Sequence, residues 1–278
     1  MNVSTMVRRR RALVFDSGLG GLTVFARIAE ARPDLELVYA ADDAFFPYGA
    51  HGEAALVERV GAVMDDLIAR TAPDVVVIAC NTASTLVLPP LRAAYPHLPF
   101  VGTVPAIKPA AEASKSRLIS VLATPGTVAR DYTRALVRDF AAGCEVTLVG
   151  AADLAGLAER QLRGEPVADA DVAREIEPCF VALAGRRTDQ VVLACTHFPL
   201  LISHFIRLAP WPVAFVDPAL AIARRVDSLV AAGGPAGEAG RPFAAFFTSG
   251  RPPSEPLRKA LRRLGLVATS AGERAAAD

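Results

Sequence analysis

The chain has 278 residues, 52% of them hydrophobic, and 30 Lys and Arg against 29 Asp and Glu give a formal net charge of +1. That length holds one large domain or two ordinary ones, with a core that needs no disulfide or metal staples. Balanced charge excludes broad electrostatic capture of nucleic acid or an anionic membrane, and charges, Gly or Pro interrupt every apolar run before it could span a bilayer.

The first residues, MNVSTMVRRRRALVF, lack the order of basic, apolar and small-residue regions that marks a signal peptide. The expected location is therefore the cytoplasm, where thiols stay reduced and the four cysteines are expected to be free. Residues 1–10 read as a flexible, solvated basic leader that carries most of the Arg8–Arg11 run. That run is the one feature pointing toward nucleic acid. Next come the apolar run Ala12–Phe15, the punctuation GLGG, and the strand-like Leu35–Ala40. Leu56, Val60, Met64 and Leu67 recur at helical spacing. Asp74–Ala79 is continuously apolar after its first residue, as a strand buried on both faces would be. FVG, RLISVLA, EVTLV, QVVLA and VAFV repeat the theme, with helical stretches between most of them. The alternation predicts an α/β protein with mainly parallel sheets covered by helices. PAIKP at Pro105–Pro109 reads as a crossing into a second unit, and APWP at Ala209–Pro212 as the return. The expected division is a first domain of residues 11–105 plus 213–278 and a second of residues 106–212.

Ligands of parallel sheets sit beyond the carboxyl ends of the strands. The residues there are Asp16 and Ser17, Asp42 and Asp43, Cys80 to Thr82, Thr124, and Cys195 to His197. DSGLGG at Asp16–Gly21 could turn backbone N–H groups toward an anion. As a dinucleotide fingerprint it fails at Thr23, and Asp16 would set negative charge beside a pyrophosphate. A tight turn with Ser17 capping the following helix is the plainer expectation. Cys144 and Cys179 read as ordinary buried thiols. Cys80 and Cys195 stand apart, because IACNTAS and LACTHFP place each after a matching apolar strand with hydrogen-bonding neighbours. A zinc site of Cys80, Cys195 and His197 would be cramped and has no C-x-x-C support. A cysteine hydrolase would leave one thiol unused. Two acid–base thiols on opposite faces of one carbon use both. No Walker lysine or strand-end Schiff-base lysine is present, so no cofactor and no metal are expected.

VFDSGLGGLTV, PYG at Pro47–Gly49, IACNTAS, GTVPA and LACTHFPLL, in this order and spacing, closely resemble the glutamate racemases of the aspartate/glutamate racemase superfamily, from about Leu13 to Ala219. The resemblance implies two similar doubly wound α/β domains related by a pseudo-twofold axis, with the active site in the cleft between them. It implies cofactor-independent interconversion of L- and D-glutamate, supply of D-glutamate for peptidoglycan, and a homodimer. Carried over by position, Cys80 and Cys195 are the acid–base pair, Cys80 acting on the D enantiomer and Cys195 on the L. Asp16 matches the aspartate beside the first cysteine, and His197 the histidine beside the second. Glu159 matches the second-domain glutamate, against the alternative of an exposed helix carboxylate. By chemistry and resemblance together, Asn81, Thr82 and Thr196 hold the α-carboxylate, and Asp16 and Ser17 the ammonium. Tyr48 and Gly49 hold the side-chain carboxylate, and Thr124 joins the binding set from its strand end. Phe45 and Phe46 stand where many relatives are more polar. The alternatives are an aspartate or hydantoin racemase or an arylmalonate decarboxylase of the same superfamily. From another class, a non-catalytic regulatory protein, such as one inhibiting DNA gyrase, would draw on the arginine run.

Overall fold

The computed structural model describes residues 9–231 and 243–269; the leader up to Arg8 lies outside them. Its elements begin with β1 (Arg11–Asp16), α1 (Leu22–Ala31), β2 (Glu36–Ala41), α2 (Glu53–Thr71), β3 (Val75–Ile78), α3 (Asn81–Ala94) and β4 (Phe100–Gly102). Then come α4 (Ile107–Ala113), β5 (Leu118–Ala123), α5 (Pro125–Val128), α6 (Asp131–Phe140), β6 (Glu145–Gly150), α7 (Leu154–Leu162) and α8 (Asp169–Ile176). A hairpin of β7 (Ala182–Leu183) and β8 (Arg186–Arg187) precedes β9 (Gln190–Ala194), α9 (Ile202–Leu208) and β10 (Ala214–Val216). Last are α10 (Ala219–Leu229), β11 (Phe243–Phe247), α11 (Glu255–Arg263) and β12 (Leu266–Thr269).

Every residue of β3, β5 and β9 is buried. Strands covered by helices on both faces need such continuous apolar sequence. α2 buries Leu56, Val60, Met64 and Leu67 on one face, as their spacing predicts, and leaves its other face to charged residues. Among the described residues, no helix is long and apolar enough to cross a membrane.

Six strands form one sheet in the order β12-β11-β2-β1-β3-β4, and four form another in the order β10-β9-β5-β6. All pairings within both are parallel. The two share a plan. β2-β1-β3-β4 in the first corresponds, strand for strand, to β6-β5-β9-β10 in the second. Cys80 follows β3 and Cys195 follows β9, the equivalent strands, so the sequence echo reflects one strand end built twice.

The boundary after residue 212 shifts. β10 pairs with β9, Ala214 opposite Gln190 and Val216 opposite Val192, so VAFV belongs to the second sheet rather than the first. A three-residue apolar run carries no record of which neighbour it will pair with. The return comes at α10, which packs on α1 and puts Ile222, Ala223 and Val226 into the core of the first sheet. The described end of the arginine run is fastened. Arg9 donates to the carbonyls of Pro33, Asp34 and Leu35, Arg10 pairs with Asp74, and Arg11 with Glu36.

Candidate active site

Carboxyl ends of strands from both sheets meet at DSGLGG. Asp16, at the end of β1, is fully buried. Its Oδ2 accepts from Gly18 N–H at 3.3 Å and Gly21 N–H at 3.0 Å, and Oδ1 from the Thr196 hydroxyl at 3.2 Å. Asp16 thus ties the turn, and Gly21 is the N-cap of α1 with no side-chain cap bond, contrary to the cap expected from Ser17. Ser17 instead lies 3.8 Å from the Cys80 sulfur. The glycines serve close approach. A Cβ on Gly20 would stand 2.6 Å from the His197 backbone nitrogen, and one on Gly18 3.1 Å from its Nε2. Side chains of the second unit fill the place a pyrophosphate would need.

Cys80 is buried between the end of β3 and the first turn of α3. Burial pushes its thiol up to about 12, and the negative charge of Asp16 adds to this. The Ala83 N–H and Ser17 oppose the rise, and charge on Cys195 reinforces it. Cys195 is equally buried, and its sulfur lies 3.9 Å from His197 Nδ1. His197 Nε2 meets Glu159 Oε1 at 2.9 Å. Burial alone would lower the imidazole pKa, but the bonds to Cys195 and Glu159 and the charge of Asp16 raise it well above its ordinary value. Glu159 is 6% exposed, so it is no exposed helix carboxylate. Burial would raise its pKa, but His197, the Leu19 N–H at 2.5 Å and Arg163 outweigh that and hold it ionised. An ionised Glu159 keeps a proton on Nε2, so the Gly20 N–H, 3.2 Å away, is a close neighbour there rather than a donor.

Asn81 is buried, and among the described residues neither its amide oxygen nor its amide nitrogen has a partner. A buried, unsatisfied amide at a helix start costs stability unless something binds it. Next to it, the Thr82 hydroxyl meets those of Thr124 and Thr127 at 3.2 Å each, and these two are 3.0 Å apart. Tyr48 does not aim its hydroxyl into this region. It donates to Asp42 at 2.8 Å, so any ligand contact at Tyr48 and Gly49 falls to the backbone. Asp42 also takes both arms of Arg59 and the Thr248 hydroxyl, while Asp43 takes the hydroxyl and N–H of Ser249. These two strand-end carboxylates anchor the segment after β11. Phe46 packs on the His197 ring at 5.4 Å, and Phe45 stacks on His51 at 3.7 Å.

Around the DSGLGG turn the structure therefore gathers Ser17 with Cys80, Asp16 with Thr196, and Cys195 with His197 and Glu159. Three residues in these networks escaped sequence reading. Thr127 had a faint signal in TPGT, where Thr124 accepts from the Thr127 N–H at the start of α5. Tyr39, which donates to the Gly18 carbonyl at 2.6 Å, looked like any strand aromatic. Arg163, 2.9 Å from Glu159 Oε2, looked like a solvated helix end. All four cysteines are free thiols.

The site thus sits on a parallel α/β plan built twice, with a buried thiol after the equivalent strand of each copy. The chain belongs to the Asp/Glu/hydantoin racemase family, whose model matches residues 18–226. It is 54% identical over 263 residues to a glutamate racemase of Brucella canis, covering 94% of this chain and 95% of that protein. A glutamate racemase of Rhizobium meliloti is 55% identical over 252 residues, covering 89% and 90%. Among solved structures, Escherichia coli glutamate racemase in complex with L-glutamate and the activator UDP-MurNAc-Ala superimposes with a TM-score of 0.85 at 40% identity. The match covers 95% of this chain and 99% of that one.

Proposed function

We propose that the protein is a cofactor-independent glutamate racemase that inverts Cα with Cys80 and Cys195. The observation that carries the reading is the equivalent placement of the two sulfurs. Each is buried at the end of the same strand of a doubled plan, and each has its own polar partner, Ser17 or His197.

The chemistry follows from the asymmetry between the two. Cys80, pushed up to about 12, rests as a thiol. The Cys195 sulfur has the cationic His197 ring as its neighbour, 3.9 Å from Nδ1. With L-glutamate bound, the two thiols take opposite roles. The Cys195 thiolate takes the α-proton, the electron pair spreads onto the α-carboxylate, and the Cys80 thiol gives its proton to the opposite face. For D-glutamate the roles reverse. Asn81, Thr82 and Thr196 hold the α-carboxylate, where donors fixed in advance stabilise charge as it develops. Ser17 receives the ammonium, and Asp16, already accepting three hydrogen bonds, acts on it through charge. Backbone at Tyr48 and Gly49, with Thr124 beside Gly49, takes the side-chain carboxylate. The reading extends to a site in a cleft between the units, a cytoplasmic homodimer, and D-glutamate supplied for peptidoglycan.

The test is circular dichroism of purified protein with D- or L-glutamate and no added cofactor. The optical signal should decay to zero from both sides, and Cys80→Ala or Cys195→Ala should abolish the decay. Substantial racemisation by both variants would end the two-thiol mechanism, and a stable signal with wild type would end the racemase reading.

A further inference from the structure

The Cys195–His197–Glu159 chain does not stop at the glutamate. Glu159 Oε1 is committed to His197 and the Leu19 N–H, while Oε2 faces the other way and takes the Arg163 guanidinium at 2.9 Å. Arg163 sits one turn beyond Glu159, just past the end of α7, and its backbone is fixed from both sides. Its N–H donates to the Glu159 carbonyl at 3.0 Å, and its own carbonyl accepts from the Ser254 hydroxyl at 3.2 Å. The next residue, Gly164, has φ of +86°, and a Cβ there would stand 2.8 Å from Pro256 Cβ, so this bend is built around the start of α11. The guanidinium lines a cavity of about 660 Å³ whose wall also includes Glu159, Phe46 and Arg251. The buried chain thus has its solvent end at Arg163, whose side chain is 32% exposed against 8% for Glu159.

We propose that Arg163 is a positioning residue, whose guanidinium, held by the α7–α11 junction, locks the Glu159 carboxylate onto His197 and so keeps the imidazole cationic beside Cys195. The proposal rests on the racemase reading for its catalytic consequence, but its structural half stands on the contacts alone. The other groups facing this chain are Cys195 and Asp16 at His197, and Tyr39 and the Leu19 N–H at Glu159. Arg160, Arg174 and Arg251 line the same cavity, but among the described residues the cationic side chains bonded to Glu159 are Arg163 and His197. Without Arg163, Oε2 turns toward the solvent-open cavity and the carboxylate is free to swing away from His197.

Full-length Arg163→Met and Arg163→Lys are compared with wild type by two readouts. The first is the imidazole ¹⁵N titration. The chain has four histidines, and the His197→Asn spectrum assigns the one that matters. Arg163→Met should lower the pH at which His197 loses its proton, and Arg163→Lys should restore most of the wild-type value. The second readout is the pH profile of kcat/KM for glutamate, whose alkaline limb should move down with His197. Its plateau should fall about tenfold in Arg163→Met, equally in both directions because the equilibrium constant is one. An unchanged His197 titration in folded Arg163→Met overturns the proposal, as does Arg163→Lys behaving like Arg163→Met. If wild type fails to racemise glutamate, the functional reading falls, while the titration still decides whether Arg163 holds the chain.

Discussion

At single residues, close approach and unmet hydrogen bonding separate function from stability. Gly20 has no positive φ, and its need for glycine is spatial, since a methyl group would press on the His197 backbone and ring. Gly20→Ala should therefore lower kcat/KM about a hundredfold by displacing His197 from Cys195, with far less effect on Tm. Parallel kinetics and thermal melts check this, and near-wild-type kinetics would show that His197 tolerates the shift. Asn81 makes the opposite case. Both polar atoms of its buried amide lack partners among the described residues, so Asn81→Ala removes an unsatisfied group. The variant should be as stable as wild type or more so, yet lose about ten- to hundredfold in kcat/KM with KM raised, as for a lost bond to a charged carboxylate. A destabilised variant with unchanged KM would place Asn81 in the fold alone.

At the level of elements, the end of β2 shows a strand tip used as an anchor. Asp42 gathers Arg59 from α2, Tyr48 from the loop carrying PYG, and Thr248 from the end of β11, and so fixes three segments around one buried carboxylate. Burial would raise its pKa, but the bonds from Arg59, Thr248 and Tyr48 win and hold it below the usual carboxylate range. A group whose folded pKa is depressed contributes stability that is present above its unfolded pKa of about 3.9 and lost as pH falls through the folded value. Asp42→Asn should cost about 2 kcal/mol at pH 7, the partly exposed Arg59 keeping it at the low end for a broken buried pair. The gap to wild type should close as pH drops below about 4, read by urea unfolding from pH 3 to 7. A gap independent of pH would show that the carboxylate's charge is not what anchors the three segments. This anchor was not legible in sequence, where Asp42 and Asp43 looked like any strand-end polar pair. What was legible were elements whose own sequence decides their state. Continuous apolar runs gave β3, β5 and β9, and the spacing of Leu56, Val60, Met64 and Leu67 gave α2. The strand-end position of both cysteines followed from the same runs. β10 was too short to reveal its sheet. Glu159 was named through the resemblance alone and Thr127 had only the faint TPGT signal, while Arg163 depends on what a distant segment brings against it, which no local pattern records.

Across the whole molecule, a polar seam joins the two sheets. The first sheet's apolar clusters and the second's are distinct, crossed by Leu162 packing on the first and Phe46 on the second. Between them run Thr196 to Asp16, Glu159 to the Leu19 N–H, and the hydroxyls of Thr82, Thr124 and Thr127. A seam of this kind suits the proposed site, which brackets one carbon from two sides, because hydrogen bonds fix direction and position where apolar contact would permit sliding. It also predicts energetic coupling between units. Each of the three threonine hydroxyls lies within bonding distance of the other two, so each can donate to one and accept from another, and closed chains of this sort strengthen each member. Thr82→Val and Thr127→Val remove one hydroxyl from each unit at nearly constant volume. In a double-mutant cycle of urea unfolding, the pair should show a coupling energy of about 1 kcal/mol across the seam. Calorimetry of wild type should show one transition with equal calorimetric and van't Hoff enthalpies. If the coupling is within about 0.3 kcal/mol of zero and two transitions appear, the units fold independently and the seam orients the site without stabilising the molecule. If the coupling is present, the contacts proposed to place the substrate carboxylate also hold the two halves together, and saturating glutamate should raise the single Tm by mass action on the folded state.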